Sequence, residues 1–342
     1  MLIQSSTAGH PALGLASRNP PAASPEQSAR NLGIDALRYG LAFLVVLLHA
    51  LPGDPEPGWA VTTQFACRAA VPFFFVTSGY FLPRAPSPAL DFVRKTAMRI
   101  VPVYALWMAI YFLYFTLNPV GTLIARPQDL ISGGGAFHLW FLPALGFGMV
   151  SVGLGMRIAG PWATGLACLG LAVIGIATSS YAPFIDPAME PRRGGLLIAP
   201  LLIFAGHMAA LHGLRMKPLH AAGLFAAANL LVAAEEHFIR AATQATQLAS
   251  HDFVASTIPL GMSLFLVAQS LPASRLITAC ASFGKLSLGI YASHLMILLT
   301  LSRFTDRATA PEAFALALAT FLAATVLVLA MRRSRRLARF VG

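Results

Sequence analysis

Charge is scarce in this chain. Only 11% of its 342 residues are Asp, Glu, Lys or Arg, against about 25% in an ordinary soluble domain. Such a chain cannot clothe a water-exposed surface, which excludes a soluble metabolic enzyme. Cysteine is also rare. Cys67, Cys168 and Cys280 fall in or beside apolar runs at unrelated spacings, so they suggest neither a disulfide framework nor a zinc site and read as small hydrophobes. No phosphate-cradling glycine loop is present, because Gly133, Gly134 and Gly135 have no lysine after them. No connection between apolar runs is long enough to fold as a second soluble domain.

What is abundant is apolar surface, 57% of the residues with a mean hydropathy of +0.70. Runs near the length that crosses hydrocarbon as helix, about 20 residues, occur at Leu32–Leu51, Ala60–Leu82, Ile100–Leu117, Phe137–Ile158 and Pro161–Ser179. Five more follow at Gly194–Leu214, Leu219–Ala234, Phe253–Leu271, Cys280–Leu301 and Ala313–Met331. They lack the alternating pattern of barrel strands. The reading is therefore all-α, a polytopic transmembrane bundle of about ten helices. Residues 1–30, rich in Pro, Ala and Ser without a basic start and apolar core, read as a disordered cytosolic leader. Residues 31–332 form the membrane domain and 333–342 a basic cytosolic tail.

Lys and Arg set the orientation. Sixteen fall on the side of the two termini and six on the other, while Arg38 and Arg68 lie within helices, so both termini are expected in the cytosol. The exception is the loop with Arg192 and Arg193, on the side that should be poor in positive charge. The net charge of +11 and the tail MRRSRRLARF follow a spanning helix directly, which points to contact with anionic membrane lipid and not to nucleic acid. Pro83–Arg99, with Arg94, Lys95 and Arg99 at helical spacing, reads as an amphipathic interfacial helix.

Against this apolar background Arg38 and His49 stand out. An ionisable group within a spanning helix costs roughly 2.5–3.5 kcal/mol and usually faces a cavity, a partner or a substrate path. Eleven residues at about 100° each return to within about 20°, so both side chains point the same way, about 16 Å apart along the axis. The alternative reading has the arginine snorkelling to the inner interface and the histidine at the outer end. Asp35, one turn before Arg38, is placed to pair with it. Glu235, Glu236 and His237 diverge by about 100° per residue and read as a solvated helix end, and His207 as an interhelical histidine.

IDALRYGLAFLVVLLHA, VPFFFVTSGYFL, MRIVPVY, HLWFL and LGIYASH, in that order along the chain, resemble segments of the acyltransferase 3 family of integral-membrane acyltransferases. IDALRYGLAFLVVLLHA is similar to its first helix, with the arginine and histidine at Arg38 and His49. VPFFFVTSGYFL resembles its second-helix run around Ser78 and Gly79, and MRIVPVY its Arg-Ile-x-Pro-x-Tyr segment at Arg99, Pro102 and Tyr104. HLWFL, with His138 and Trp140, resembles the family's His-Leu-Trp-Phe element, and LGIYASH, with Tyr291 and His294, its Tyr-x-x-His motif. One departure stands out. Many members carry a second arginine where this chain has Thr96, and Lys95 or Arg94 is a candidate substitute, although lysine cannot make the two-pronged bonds of arginine to phosphate.

The resemblance implies transfer of an acyl group, commonly acetyl, from cytosolic acyl-CoA to a saccharide hydroxyl across the bacterial inner membrane. The acceptor would be exopolysaccharide, lipopolysaccharide or a lipid-linked precursor, with transfer by the bundle alone since no fused hydrolase-like domain is seen. No bound cofactor or metal is expected. Histidine suits the general base because its pKa lies near neutrality, and His49 takes that role. Arg99 and Arg38 suit the donor phosphates, with Lys95 beside them. Asp35 either orients Arg38 or is a local ion pair easing insertion. Arg38, Ser78 and Tyr291 are candidate donors to the thioester oxyanion on family grounds; the alternative reading of Ser78 is that SGY serves only close helix packing through Gly79. His138 and Trp140 are placed to contact the sugar or to anchor the interface, and Tyr291 and His294 to line the cavity or to bond between helices. A proton-coupled transporter is the alternative. Carriers often repeat their halves, and neither the first-helix segment nor SGY recurs in the second half.

Overall fold

The computed structural model describes residues 31–52, 57–84, 88–115, 125, 129–133, 135–186, 194–243 and 253–341. The expected leader at 1–30 and the loop arginines Arg126, Arg192 and Arg193 lie outside them.

Every apolar run becomes helix. The first crossing, α1 (Leu32–Ala50), starts where the Asn31 side chain accepts from the Ile34 N–H at 3.1 Å, satisfying one of the orphan donors of a helix start. The return crossing is made of two pieces, α2 (Gly58–Arg68) and α3 (Ala70–Tyr80). They part where Pro72 lacks the N–H that would bond the Arg68 carbonyl. Ala69 keeps αR geometry, so the pair remains one span of 23 residues.

The next helix, α4 (Ala89–Phe115), has 27 residues, about 40 Å at 1.5 Å each against about 30 Å of hydrocarbon. The segment read as an interfacial helix is instead its first three turns. Helical propensity continues unbroken from Ala89, and the helix simply projects past the bilayer at its basic end. A 3₁₀ turn at Phe137–Trp140 leads into α5 (Phe141–Ile158), followed by α6 (Gly160–Ala177), α7 (Gly195–Leu211), α8 (Pro218–Thr243) and α9 (Thr257–Ser270). The last crossings are α10 (Arg275–Phe283), continued by α11 (Ser287–Leu301), and α12 (Ala310–Arg333), which opens on a capping box of Thr309 and Glu312.

Among the described residues, eight helical stretches are long and apolar enough to cross a membrane, and α7 and α9 are shorter apolar helices. Together they make ten apolar helical segments among the described residues. No strand occurs among the described residues. Arg38, Arg99 and the first residues of α11 lie toward the end where α1 starts, called here the basic end; His49 lies toward the other.

α3 and α7 approach each other closely. A Cβ on Gly79 would collide with the Ile203 carbonyl, and one on Gly206 with the Val76 carbonyl. Glycine at both places lets the backbones touch, the small-residue packing of membrane helices. At the periphery, α6 and α8 bury little of themselves, and Trp162 on α6 is 92% exposed. Apolar surface on that scale suits lipid and not water. The expected basic tail is docked: Arg335–Ala338 forms a turn of helix, the Trp107 indole donates to the Phe340 carbonyl at 3.1 Å, and Val341 is fully buried near Gly289.

Candidate active site

A cavity of about 130 Å³ opens between α1, α3, α4, α5 and α11. Its polar lining comprises Arg38, Thr77, Ser78, Arg99, Ser287 and Tyr291, and the remaining walls are aliphatic and phenylalanine side chains. Two guanidinium groups in one small, mostly apolar chamber attract an anion. Arg38 lies 3.6 Å from Asp35, one turn earlier on α1, and keeps 29% of its side chain exposed. Arg99 comes from the turn of α4 that leads into Pro102.

The hydroxyls differ in availability. Ser78 Oγ donates to the Phe74 carbonyl at 2.8 Å, so its one proton is engaged. Thr77 Oγ1 is buried and has no hydrogen-bond partner among the described residues. Thr77 was not singled out in the sequence. The available signal was a second hydroxyl beside Ser78 in an otherwise apolar run.

Toward the other end, three histidines from distant segments meet. The ring centroids of His49 (α1) and His294 (α11) lie 5.3 Å apart with 23° between their planes. His138, in the 3₁₀ turn, has its ring 4.9 Å from that of His294 and 6.4 Å from that of His49. His138 is 2% exposed and His294 fully buried, while His49 is half-buried. A saccharide reaches the two buried rings only after a rearrangement.

Backbone carbonyls hold these rings. His294 Nδ1 lies 2.6 Å from the Tyr291 carbonyl and His138 Nε2 lies 3.4 Å from the Ala292 carbonyl. The Tyr111 hydroxyl sits on the same stretch of α11, donating to the Ala292 carbonyl at 3.0 Å and accepting from the Met296 N–H at 3.1 Å. It thus enters the i to i+4 ladder beside His294 and ties α4 to α11. Sequence reading missed Tyr111, which lies in an aromatic run that reads as core.

Tyr291 joins the two halves of the site. It lines the cavity, and its hydroxyl donates to the His138 carbonyl. The structure therefore gathers Arg38, Arg99, Ser78 and Tyr291 at one chamber, and His49, His138 and His294 with one another, away from the basic end. Trp140 is half-buried against Gly195, with its ring 5.8 Å from that of Phe253. Lys95 and Arg94 are exposed on the projecting turns of α4 and do not line the chamber, whereas Thr96 is buried.

A second polar cluster lies outside this chamber. Arg68 on α2 pairs with Glu236 on α8, whose side chain is fully buried. Glu235 accepts from the Ala255 and Ser256 N–H groups, both at 2.8 Å, from the Ser256 hydroxyl and from Tyr181 Oη at 2.6 Å. It caps α9 from a neighbouring helix, and burial together with Glu235 pushes the Tyr181 phenol up. Glu235 and Glu236 are therefore not a solvated helix end. Two divergent carboxylates each find a partner on another helix.

This arrangement, a membrane-embedded helical bundle around a chamber of arginines and histidines, defines an integral-membrane protein with an internal polar path. A family model described as an acyltransferase domain matches residues 31–330, and the chain belongs to that family, acyltransferase 3. It is 29% identical over 205 residues to a serine/alanine racemase of Enterococcus gallinarum, covering 52% of this chain and 29% of that one. Two proteins of Enterococcus faecalis named amino-acid racemase are 33% identical over 120 residues and 31% over 203, covering 33% and 52% of this chain. The chain spans only 17% to 29% of the length of these relatives. No solved structure matches the chain.

Proposed function

We propose that this membrane acyltransferase moves an acetyl group from acyl-CoA, entering at the basic end, to a hydroxyl of a cell-surface saccharide or its lipid-linked precursor at the other. On this reading it is a multi-pass protein of the bacterial inner membrane with both termini cytosolic. The observation that carries the reading is the chamber with Arg38 and Arg99 on one side, joined through Tyr291 to His49 and its neighbours on the other.

The volume supports a division of the donor. A drug-sized ligand fills about 300–1,000 Å³, so a chamber of about 130 Å³ holds the thioester end and leaves the nucleotide phosphates at the basic mouth. Arg99 faces those phosphates with a planar, always-charged fork, and exposed Lys95 adds a point charge nearby. Asp35 orients Arg38 from one turn away.

His49 takes the hydroxyl proton as the oxygen attacks the thioester carbonyl. The new C–O bond forms, the C–S bond breaks, and the proton passes from His49 to the departing thiolate, regenerating the base and releasing CoA thiol. Thr77 donates to the developing oxyanion, while Arg38, about 16 Å from His49 along the helix and turned toward Asp35, holds the donor. Ser78 must give up its bond to Phe74 before it can do the same, so it serves as an acceptor lining the donor path. Trp140 offers the acceptor an aromatic face at the outer end.

Mass spectrometry of surface glycans from a strain lacking the protein, complemented with wild type or His49→Gln at equal membrane level, tests the assignment. Acyl groups restored by wild type alone are expected. Restoration by both removes His49 as the base, and glycans that never differ remove the saccharide acceptor.

A further inference from the structure

His294 and His138 are buried more deeply than contact with a saccharide requires, and each leaves one ring nitrogen without a hydrogen-bond partner among the described residues: Nε2 of His294 and Nδ1 of His138. The other nitrogen of each faces a backbone carbonyl. A carbonyl oxygen only accepts, so in the neutral ring that nitrogen carries the proton, and the orphaned one is a lone pair. Leaving an acceptor buried without a donor is costly. Among the described residues, then, two such acceptors have no donor placed on them.

Neither ring can satisfy the other in these tautomers, since each presents a lone pair. Tyr111 is committed to Ala292 and Met296, and Tyr291 donates to the His138 carbonyl. His49 is the adjoining ring, 5.3 Å from His294 and within 23° of its plane. That separation lies within reach of one intervening water or a small ring movement, as happens when catalytic bonds tighten on substrate binding.

We infer that His294 is the positioning residue for His49, a neutral imidazole whose Nε2 accepts the second N–H of His49 while His49 takes the hydroxyl proton. The inference rests on the role of His49 given above. It gives His294 the part that a buried carboxylate plays behind the histidine of a Ser-His-Asp triad. His138 stands behind it, and the Tyr291 hydroxyl and the Tyr111 insertion fix the backbone that sets both tautomers. An imidazole is a weaker partner than a carboxylate, so the effect expected is smaller than in that triad.

Two substitutions separate this role from a packing role. Asparagine at 294 keeps an N–H near the Tyr291 carbonyl but ends before Nε2, whereas glutamine carries an acceptor oxygen out to that place. At matched membrane level, His294→Asn should lower kcat about 10- to 100-fold with KM for both substrates held within about twofold, and His294→Gln should restore kcat to within about threefold. Unchanged kcat in His294→Asn, or equal losses in both variants, overturns the inference.

A second readout needs neither substrate. Carbethoxylation of His49 by diethyl pyrocarbonate, followed by peptide mass spectrometry, should slow severalfold in His294→Asn and recover in His294→Gln. Equal rates in all three proteins overturn the coupling. Slower modification in a protein that transfers no acyl group preserves the coupling and removes the acyl-transfer reading instead. If His294→Asn fails to accumulate, ¹⁵N-histidine spectra of wild type and His49→Gln decide: a change at the His294 ring nitrogens supports the pair, and an unchanged signal refutes it.

Discussion

Two arginine–carboxylate pairs sit within the membrane bundle, and they do opposite things. Arg38 and Asp35 are 3.6 Å apart on one helix, partly exposed, beside the chamber. Arg68 and Glu236 join two helices, with the carboxylate fully buried. A buried charge within a span is commonly a sign of function, and Arg38 of the first pair lines the chamber described above. The second holds α8 to the bundle next to the Glu235 cap of α9. A buried pair is costly to break, because removal of one partner strands the other. Under the proposed function, position relative to a cavity, more than charge in a span, separates chemistry from scaffold.

The sharpest way to break this contrast is Glu236→Ala. It should cost about 3–5 kcal/mol of stability, read as a large fall in the thermal midpoint of the purified protein, while each molecule that remains folded keeps its transfer rate. Arg38→Lys should do the reverse, leaving the midpoint close to wild type and lowering kcat about 10- to 100-fold, because lysine lacks the planar fork. A smaller effect comes from Thr77→Val, an exchange of similar shape that removes the unpartnered hydroxyl. A fall in kcat of about tenfold, with KM for acyl-CoA unchanged, would mark Thr77 as an oxyanion donor and rank it above Ser78→Ala. Smallest is Lys95→Ala, exposed on the projecting turns of α4. Stability should stay within about 0.5 kcal/mol, and KM for acyl-CoA should rise less than about twofold at physiological salt, where an exposed charge is screened.

Much of this was legible in the chain. The ten spans follow from apolar run length, since a helix that must bury its backbone bonds in hydrocarbon needs about 20 residues wherever it sits. The shared direction of Arg38 and His49 is an expectation from helical periodicity; in the structure Arg38 lines the chamber and His49 lies beside His294. Three elements were not legible. Pro83–Arg99 has the charge pattern of a surface helix, but nothing in that pattern tells whether it continues into α4. Glu235 and Glu236 are adjacent and diverge, which argued for a solvated end, and only the approach of α2 and α9 supplies their partners. Tyr111 lies in a run that packs like any core aromatic until α11 brings the Ala292 carbonyl and the Met296 amide to its hydroxyl.

Hydropathy and periodicity are sums over near neighbours, and so the sequence by itself determined the class of protein and the places of its apolar helices. Which helices touch depends on shape matched between segments far apart in the chain, such as Gly79 against Ile203 and Gly206 against Val76. That matching alone brings His138 and His294, 156 positions apart in the numbering, to within 4.9 Å and leaves their free nitrogens beside His49. The tertiary structure therefore decided the site, because hydrogen-bond partners and cavities exist only once distant surfaces have met.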